Sequence, residues 1–116
     1  MAQYVPSRGD IIWLDFEPTK GKEIGKYRPT LVLSSEQHNR QTGLVICCPI
    51  STSIRGKPTE VAVGNLDQPS VVAANLVQTL DWKQRKAKLE AHAEEGVLQS
   101  VLARIIPLIG ADQFFE

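Results

Sequence analysis

The sequence predicts a mostly β protein with some helix: a strongly bent small sheet, or open barrel, of five to six short antiparallel strands followed by one C-terminal helix. Short runs of β-branched and other apolar residues, separated by Gly, Pro and Asn, recur as far as Ala91. These runs do not alternate with helices of the kind that connect parallel strands, so the strands should pair antiparallel. Only the last part of the chain repeats apolar residues at helical spacing.

Chain length and composition favour an ordinary globular protein. With 116 residues, of which 42% are hydrophobic and 22% charged, residues 1–116 are expected to form a single domain around one core. No apolar run approaches the roughly 20 residues of a membrane-spanning helix, and the N-terminus carries no export signal. Adjacent Cys47 and Cys48 would point to opposite faces of a strand and are not expected to bridge each other. We therefore expect a reduced, cytoplasmic protein without membrane contact.

The first two predicted strands enclose a long loop. Residues 11–16 alternate between apolar and other side chains, as in a half-buried strand. A second strand at residues 29–35 begins with Pro29 and continues through an apolar run. The intervening residues 17–28 form a loop of about a dozen residues, a length that is often functional.

The third strand is predicted to be central. Residues 36–42 are polar and could form a helical turn capped by Ser34 or Ser35. Residues 44–48 then form a continuous apolar run, which indicates burial on both faces, and Pro49 is expected to end it.

Shorter strands follow the third. Residues 60–63 are predicted to form a fourth strand. Residues 71–80 are expected to form one or two strands with a bend at residues 73–75, and Leu89 and Ala91 could belong to a short edge strand.

Two apolar stripes predict the C-terminal helix. Each repeats at four-residue spacing, the first through Val97, Val101 and Ile105 and the second through Leu98, Leu102 and Ile106. Glu94 and Glu95 complement the helix dipole at its start. Pro107 is expected to kink or end the helix, since its nitrogen cannot bond the carbonyl of Ala103.

Charge is segregated along the chain although its net value is +0. Residues 18–57 hold seven basic and two acidic residues, a net charge of +5. Residues 90–116 hold one basic and five acidic residues, a net charge of −4. This asymmetry favours a polyanionic partner that meets one face of the molecule.

The basic and hydroxyl residues of the loop and of the turn after the third strand are typical of a site that binds an anion. The loop places Lys20, Lys22, Lys26 and Arg28 around Glu23, and three hydroxyls, Ser51, Thr52 and Ser53, followed by Arg55 and Lys57, come after the third strand. An arginine fork fits a phosphate, a hydroxyl can donate to it, and a carboxylate can accept a proton. Such a set suits transesterification of RNA, whose 2′-hydroxyl is an internal nucleophile. An ordinary solvated loop is the alternative.

Metal chemistry is not indicated. His38 and His92 belong to no cluster with ligand spacing, and Cys47-Cys48 does not have the spacing of a zinc site. We therefore expect neither a metal nor another cofactor.

Four segments resemble the MazF/PemK family of toxin endoribonucleases from bacterial toxin–antitoxin pairs. They are the Gly-Asp opening and strand of residues 9–16, the loop and Arg-Pro strand of residues 18–34, the strand and hydroxyl turn of residues 42–52, and the helix end at residues 106–110. The resemblance covers almost the whole chain.

This resemblance implies an SH3-like barrel, a homodimer and metal-independent cleavage of single-stranded RNA. It also implies an antitoxin whose acidic C-terminal segment occupies the RNA groove. The family's arginine falls on Arg28, its loop glutamate on Glu23 and its hydroxyl on Ser51, beside Thr52. The expected RNA contacts are Lys20, Lys22, Lys26, Arg55, Lys57, Gln78 and Phe16.

Other functions stay open on sequence grounds. The chain could be a protein-binding toxin of the same fold without nuclease activity, as in toxins that poison DNA gyrase, or a relative that binds RNA without cutting it. Which hydroxyl acts, and which residue moves protons, also stays open. Arg28 is expected to clamp the phosphate, and Glu23 is the better candidate base because arginine stays charged.

Overall fold

A computed structural model describes residues 3–115. The first two residues, and Glu116 of the acidic C-terminal segment, lie outside that range. The elements in chain order are β1 (Asp10–Asp15), β2 (Tyr27–Val32), α1 (Glu36–Thr42), β3 (Leu44–Ser51), β4 (Glu60–Val63), β5 (Ser70–Ala73), a 3-10 turn (Ala74–Leu76), β6 (Gln78–Asp81), β7 (Lys88–His92), α2 (Val97–Leu108) and a 3-10 turn (Ala111–Phe114). Within residues 3–115, no helix has the length and apolar character needed to cross a membrane.

The strands form a curled antiparallel sheet in the order β4-β5-β3-β2-β1-β7, and β6 pairs with β3 outside this path. The predicted mostly β fold with a C-terminal helix is confirmed. The described residues form seven strands rather than five or six, because the stretch at residues 71–80 divides around the 3-10 turn and the edge strand β7 also forms. Helix α1 is capped by Ser35, whose side chain accepts the amide of His38, and ends at Gly43 in the left-handed conformation.

Strand β3 changes partner at Pro49, where the sequence predicted that it would end. Along one edge, β3 pairs with β6 as far as Cys47 and with β5 at Ile50 and Ser51, while its other edge pairs with β2 as far as Pro49. Because proline has no amide hydrogen, it cannot donate to a sheet ladder, and the sheet bends there while the strand continues. The prediction that Pro49 ends β3 is therefore wrong, and Ser51 lies at the bend.

Both faces of β3 are buried, as predicted. Cys48 packs into a cluster under α2 together with Leu31 and Val101. Its neighbour Cys47 packs on the other face, in a cluster closed by Trp82. Both thiols are free and fully buried.

Helix α2 buries only one of its two predicted stripes. Val97, Val101 and Ile105 pack against the sheet. Leu102 and Ile106, from the second stripe, remain 36% and 37% exposed. The helix ends one residue after Pro107.

Candidate active site

The pairing of β2 with β3 brings Arg28 close to Ser51. Thr30 pairs with Pro49, and the same register continued by two residues sets Arg28 opposite Ser51. Opposed residues of antiparallel strands lie on one face with their Cβ atoms roughly 5 Å apart. The bend of β3 lies at this end of the sheet, so the hydroxyl-rich turn that follows it comes next to Arg28.

The guanidinium of Arg28 is held in a fixed position. Its Nε donates to the carbonyl of Gly25 at 2.6 Å, and its Nη1 lies 3.5 Å from the carbonyl oxygen of Ile50. Its Nη2 makes no hydrogen bond within residues 3–115 and stays available to a ligand. Partial burial lowers the pKa of Arg28, and the nearby carboxylate of Glu17 opposes that change by raising it.

Two adjoining clefts meet at Ser51. The first, here called the Arg28 cleft, has a volume of about 450 Å³ and is lined by Ile24, Lys26, Tyr27, Arg28, Pro29, Ile50, Ser51, Thr52, Ser53 and Arg55. The second, here called the Glu23 cleft, has a volume of about 330 Å³. Its polar and charged lining residues are Lys22, Glu23, Ser51, Ser53, Arg55, Lys57, Thr59, Glu60 and Asn75. The structure thus brings together Arg28, the hydroxyls, Glu23 and four of the predicted lysines and arginines.

The two candidate hydroxyls are placed differently. The Oγ of Ser51 accepts the amide of Ser53 at 3.0 Å, which leaves its own hydrogen free to donate. Ser51 is half-buried and lines both clefts, whereas Thr52 is exposed and lines only the Arg28 cleft. Both residues line the Arg28 cleft together with Arg28 itself.

Glu23 organises the tip of the cationic loop. Its Oε1 accepts the amide of Lys20 at 2.7 Å, and its own amide donates to the carbonyl of Lys20 at 3.1 Å. Lys22 lines the Glu23 cleft and Lys26 lines the Arg28 cleft, whereas Lys20 lines neither. One oxygen of the Glu23 carboxylate therefore fixes the loop and the other remains for a ligand.

Sequence reasoning missed two carboxylates that shape the site. Glu60 accepts the amides of Arg55, Gly56 and Lys57, with its Oε1 at 3.1, 2.9 and 3.4 Å, and so holds the loop after β3. Glu17 accepts the amide of Lys26 through Oε2 at 2.7 Å. In both contacts a side chain accepts hydrogen bonds from backbone amides, so residue type and spacing in the sequence do not predict them.

Arg85 was also missed as a support of the loop. Its Nη1 donates to the carbonyls of Asp15 and Glu17, at 3.0 and 2.9 Å. Gly25 lies so close to the Glu17 carboxylate that a side chain there would collide with it. The loop that leads into β2 and Arg28 is thus fixed at both ends.

Two predicted RNA contacts lie outside the clefts. Phe16 is 3% exposed and packs in the cluster closed by Trp82, so its ring offers no face to a base and it is a core residue. The Nε2 of Gln78 donates to the carbonyl of Leu76 at 3.1 Å, and Gln78 lines neither cleft. The alternation of residues 12, 14 and 16 already pointed to a common buried face for Phe16.

Comparison with known families decides the relationship. The sequence model of the PemK-like, MazF-like toxins of type II toxin–antitoxin systems matches residues 7–109. The chain belongs to this family.

Members of this toxin family resemble the chain over nearly its full length. The endoribonuclease toxin MazF of Escherichia coli K12 is 38% identical over 110 residues, covering 95% of this chain and 99% of the relative. The crystal structure of MazF from Deinococcus radiodurans superposes with a TM-score of 0.90 at 39% identity, covering 93% and 99% of the two chains. A MazE–MazF crystal structure from the same organism superposes with a TM-score of 0.83 at 39% identity, covering 93% and 98%.

Proposed function

We propose that this toxin is an endoribonuclease that cleaves single-stranded RNA without a metal ion. The observation that carries the proposal is the guanidinium of Arg28, which is fixed through Nε and lines the same cleft as Ser51 and Thr52. A fixed fork of donors beside a hydroxyl suits the charge that develops on a phosphate during reaction. The relative from Escherichia coli K12 named above is an endoribonuclease toxin, which favours cleavage over binding alone.

In the proposed reaction, the 2′ oxygen of the ribose attacks the adjacent phosphorus. The bond from O2′ to phosphorus forms while the bond from phosphorus to the 5′ oxygen breaks, so a cyclic phosphate and a 5′-hydroxyl result. A proton leaves O2′ and the departing 5′ oxygen takes one up. Arg28 binds the non-bridging oxygens, Ser51 donates a further bond, and Glu23 is the proposed base.

Lysines and arginines of both clefts would bind the flanking phosphates. Lys22, Lys26, Arg55 and Lys57 line the clefts, and Lys20 lies on the same loop. They outnumber the two carboxylates of the Glu23 cleft, Glu23 and Glu60, and Glu60 is occupied by backbone amides. RNA that passes through both clefts would therefore meet a net positive surface.

The proposed protein partner is an antitoxin whose acidic C-terminal segment enters the same clefts. An acidic peptide would compete with RNA for the same lysines and arginines, which explains how it could silence the toxin. In support, the MazE–MazF crystal structure from Deinococcus radiodurans contains a relative together with MazE. The proposed site of action is the cytoplasm, where the RNA is.

We also propose a homodimer. The exposed apolar residues at the C-terminal end of the chain are Leu102, Ile106, Leu108, Ile109, Phe114 and Phe115, with exposures from 36% to 81%. An apolar surface that runs from a helix into the following turn is typical of an interface. A second copy is the occupant we favour, because this acidic segment would repel RNA and an acidic antitoxin peptide alike.

The test is incubation of the purified toxin with a long single-stranded RNA, with and without excess EDTA. Cleavage at discrete positions that persists in EDTA is expected, and the upstream products should carry a cyclic phosphate. Binding without cleavage would instead identify an RNA-binding relative. Loss of cleavage in EDTA that a divalent ion restores would contradict the metal-free mechanism.

A further inference from the structure

An aromatic pair is exposed at the edge of the Arg28 cleft. Trp13 of β1 and Tyr27 of β2 stack with ring centroids 5.4 Å apart and an interplanar angle of 24°. They are diagonal neighbours on one face, since Trp13 pairs with Pro29 and Asp15 with Tyr27. Tyr27 is 46% exposed, so the pair offers an aromatic surface that no residue among 3–115 covers fully.

Each ring makes one hydrogen bond to the β7 region of the chain. The indole nitrogen of Trp13 donates to Oε1 of Glu90 at 3.2 Å. The hydroxyl of Tyr27 donates to the carbonyl of Lys86 at 3.2 Å. A stacking surface fixed in advance costs less ordering entropy when a ligand binds to it.

Three lysines border the pair. Lys88 of β7 lies opposite Trp13 in the sheet, Lys86 contacts the Tyr27 hydroxyl through its carbonyl, and Lys26 precedes Tyr27 and lines the Arg28 cleft. The nearby carboxylates are engaged, Glu90 by Trp13 and Asp15 by the amide of Glu17 at 3.0 Å. Lys86 and Lys88 have no part in the proposed cleavage site, so their position is otherwise unexplained.

We propose that Tyr27 and Trp13 form an outer subsite on which a base of single-stranded RNA stacks, with Lys86 and Lys88 contacting the adjacent phosphates. Tyr27 lines the Arg28 cleft, so this surface continues the path of a strand held there. Aromatic rings interleaved with lysines are the usual means of binding single strands without reading their sequence. The inference rests on the proposed ribonuclease function and extends its substrate contacts beyond the cleaved bond.

The experiment compares RNA oligonucleotides that share one cleavage site and are lengthened stepwise at the 5′ or the 3′ end. For the wild type, kcat/KM should rise when one of the two ends becomes long enough to reach Tyr27. Tyr27→Ala should lose that rise, by roughly 5- to 100-fold, the range of base–aromatic stacking, when each protein's rate on the shortest substrate serves as its own reference. Tyr27→Phe keeps the ring and should retain the rise, which separates stacking from the hydrogen bond to Lys86.

The lysines are tested by the double variant Lys86→Gln and Lys88→Gln, with Lys83→Gln as the matched control. Lys83 belongs to the same basic segment but lies over Trp82, with its Nζ 5.5 Å from the ring centroid. The double variant should bind long RNA more weakly and with a smaller salt dependence, and the control should not. Circular dichroism verifies that each variant is folded.

An equal rise of kcat/KM with substrate length in Tyr27→Ala and wild type would overturn the inference while leaving the ribonuclease function intact. So would a defect of Tyr27→Ala confined to antitoxin binding, which would make the surface a protein contact. If the wild type cleaves no RNA of any length, the proposed function itself fails, and the two failures are therefore distinguishable.

Discussion

At the scale of single residues, Arg28 combines a fixed position with a free hydrogen-bonding edge. The carbonyl of Gly25 holds Nε, and the Glu17 carboxylate acts against the effect of burial on the Arg28 pKa. A guanidinium oriented before the substrate arrives needs no reorganisation when charge develops on the phosphate. The site therefore depends on the geometry of this side chain as well as on its charge.

Arg28→Ala should reduce the rate of RNA cleavage by about 10²–10³, the scale for removal of a donor to developing charge. Arg28→Lys should recover little of the rate, because an ammonium group lacks the planar fork. Single-turnover cleavage measures both effects, and the far-ultraviolet circular dichroism spectrum verifies the fold. An Arg28→Ala protein that is folded and cuts RNA at a near-normal rate would exclude the clamp.

Alanine substitutions at the neighbouring residues Ser51 and Thr52 should have opposite effects on the rate of RNA cleavage. Ser51→Ala should abolish most single-turnover cleavage and Ser51→Thr should keep or raise it, because a hydroxyl remains. Thr52→Ala, at an exposed position, should leave most of the rate intact. If Thr52→Ala is the inactive variant and Ser51→Ala cuts normally, the assignment of the hydroxyl is displaced by one residue.

At the scale of elements, the loop before β2 and the loop after β3 meet at the clefts, and a glutamate carboxylate holds the backbone of each. Glu23 accepts an amide of the loop before β2, and Glu60 accepts three amides of the loop after β3. The register of β2 and β3 thus positions Arg28 and Ser51. The two loops contribute the lysines and arginines, and hydrogen bonds hold the backbones of these loops in place. Flexible cationic side chains on fixed backbones suit a substrate whose phosphates follow one another at regular spacing.

Glu60→Ala should release the loop after β3 and raise KM for RNA several-fold with a smaller effect on kcat. Each lost hydrogen bond is worth about 1 kcal/mol in general, and solvent replaces these exposed ones, so the melting temperature should fall only slightly. Glu60→Gln keeps an acceptor and should be intermediate. Glu95→Ala, at an exposed glutamate that lines neither cleft, is the control. An unchanged KM in Glu60→Ala would show that the loop needs no such support.

At the scale of the whole molecule, one surface is cationic and another is apolar. The clefts gather lysines and arginines at the bend of β3, whereas the second stripe of α2 and the turn after it expose large apolar side chains. The proposed dimer would bury that apolar surface and place two sets of clefts in one particle. A long RNA could then contact both sets.

Ile106→Glu should convert the proposed dimer to monomers, because it places a charge in an apolar interface. Ile106 is 37% exposed, and Leu44, which is 38% exposed at the start of β3, provides the matched control Leu44→Glu. Light scattering at micromolar concentration measures the mass of each protein. A wild type that is monomeric and fully active, or an Ile106→Glu protein that stays dimeric, would refute this interface.

RNA affinity of the wild type should fall steeply with salt, since phosphates that pair with lysine and arginine release counterions. Binding of a 2′-deoxy oligonucleotide, which lacks the attacking hydroxyl, measures affinity without cleavage. With several lysines and arginines engaged, the slope of log K against log salt should be about −3 or steeper at an uncleaved strand. A slope near zero would show that contacts to phosphate are not the source of affinity.

The fold and part of the site followed from the sequence, because they depend on local patterns. Alternation and apolar runs located the strands, the residue types pointed to Arg28 and a group of three hydroxyls, and the family resemblance singled out Ser51. The change of partner at Pro49 did not follow, because it depends on which strand lies across from it. The roles of Glu17 and Glu60 did not follow either, since their contacts are to backbone amides that become neighbours only after the loops close.

The adjacent cysteines of β3 offer separate reporters for the two sides of the sheet. Burial raises the pKa of Cys47 to about 11 and that of Cys48 to about 12, so both thiols are protonated and unreactive at neutral pH. A thiol reagent could then reach Cys48 only when α2 moves away, and Cys47 only when the side closed by Trp82 opens. Labelling rates of Cys47→Ala and Cys48→Ala proteins would thus compare how often each side of one strand opens in the native state.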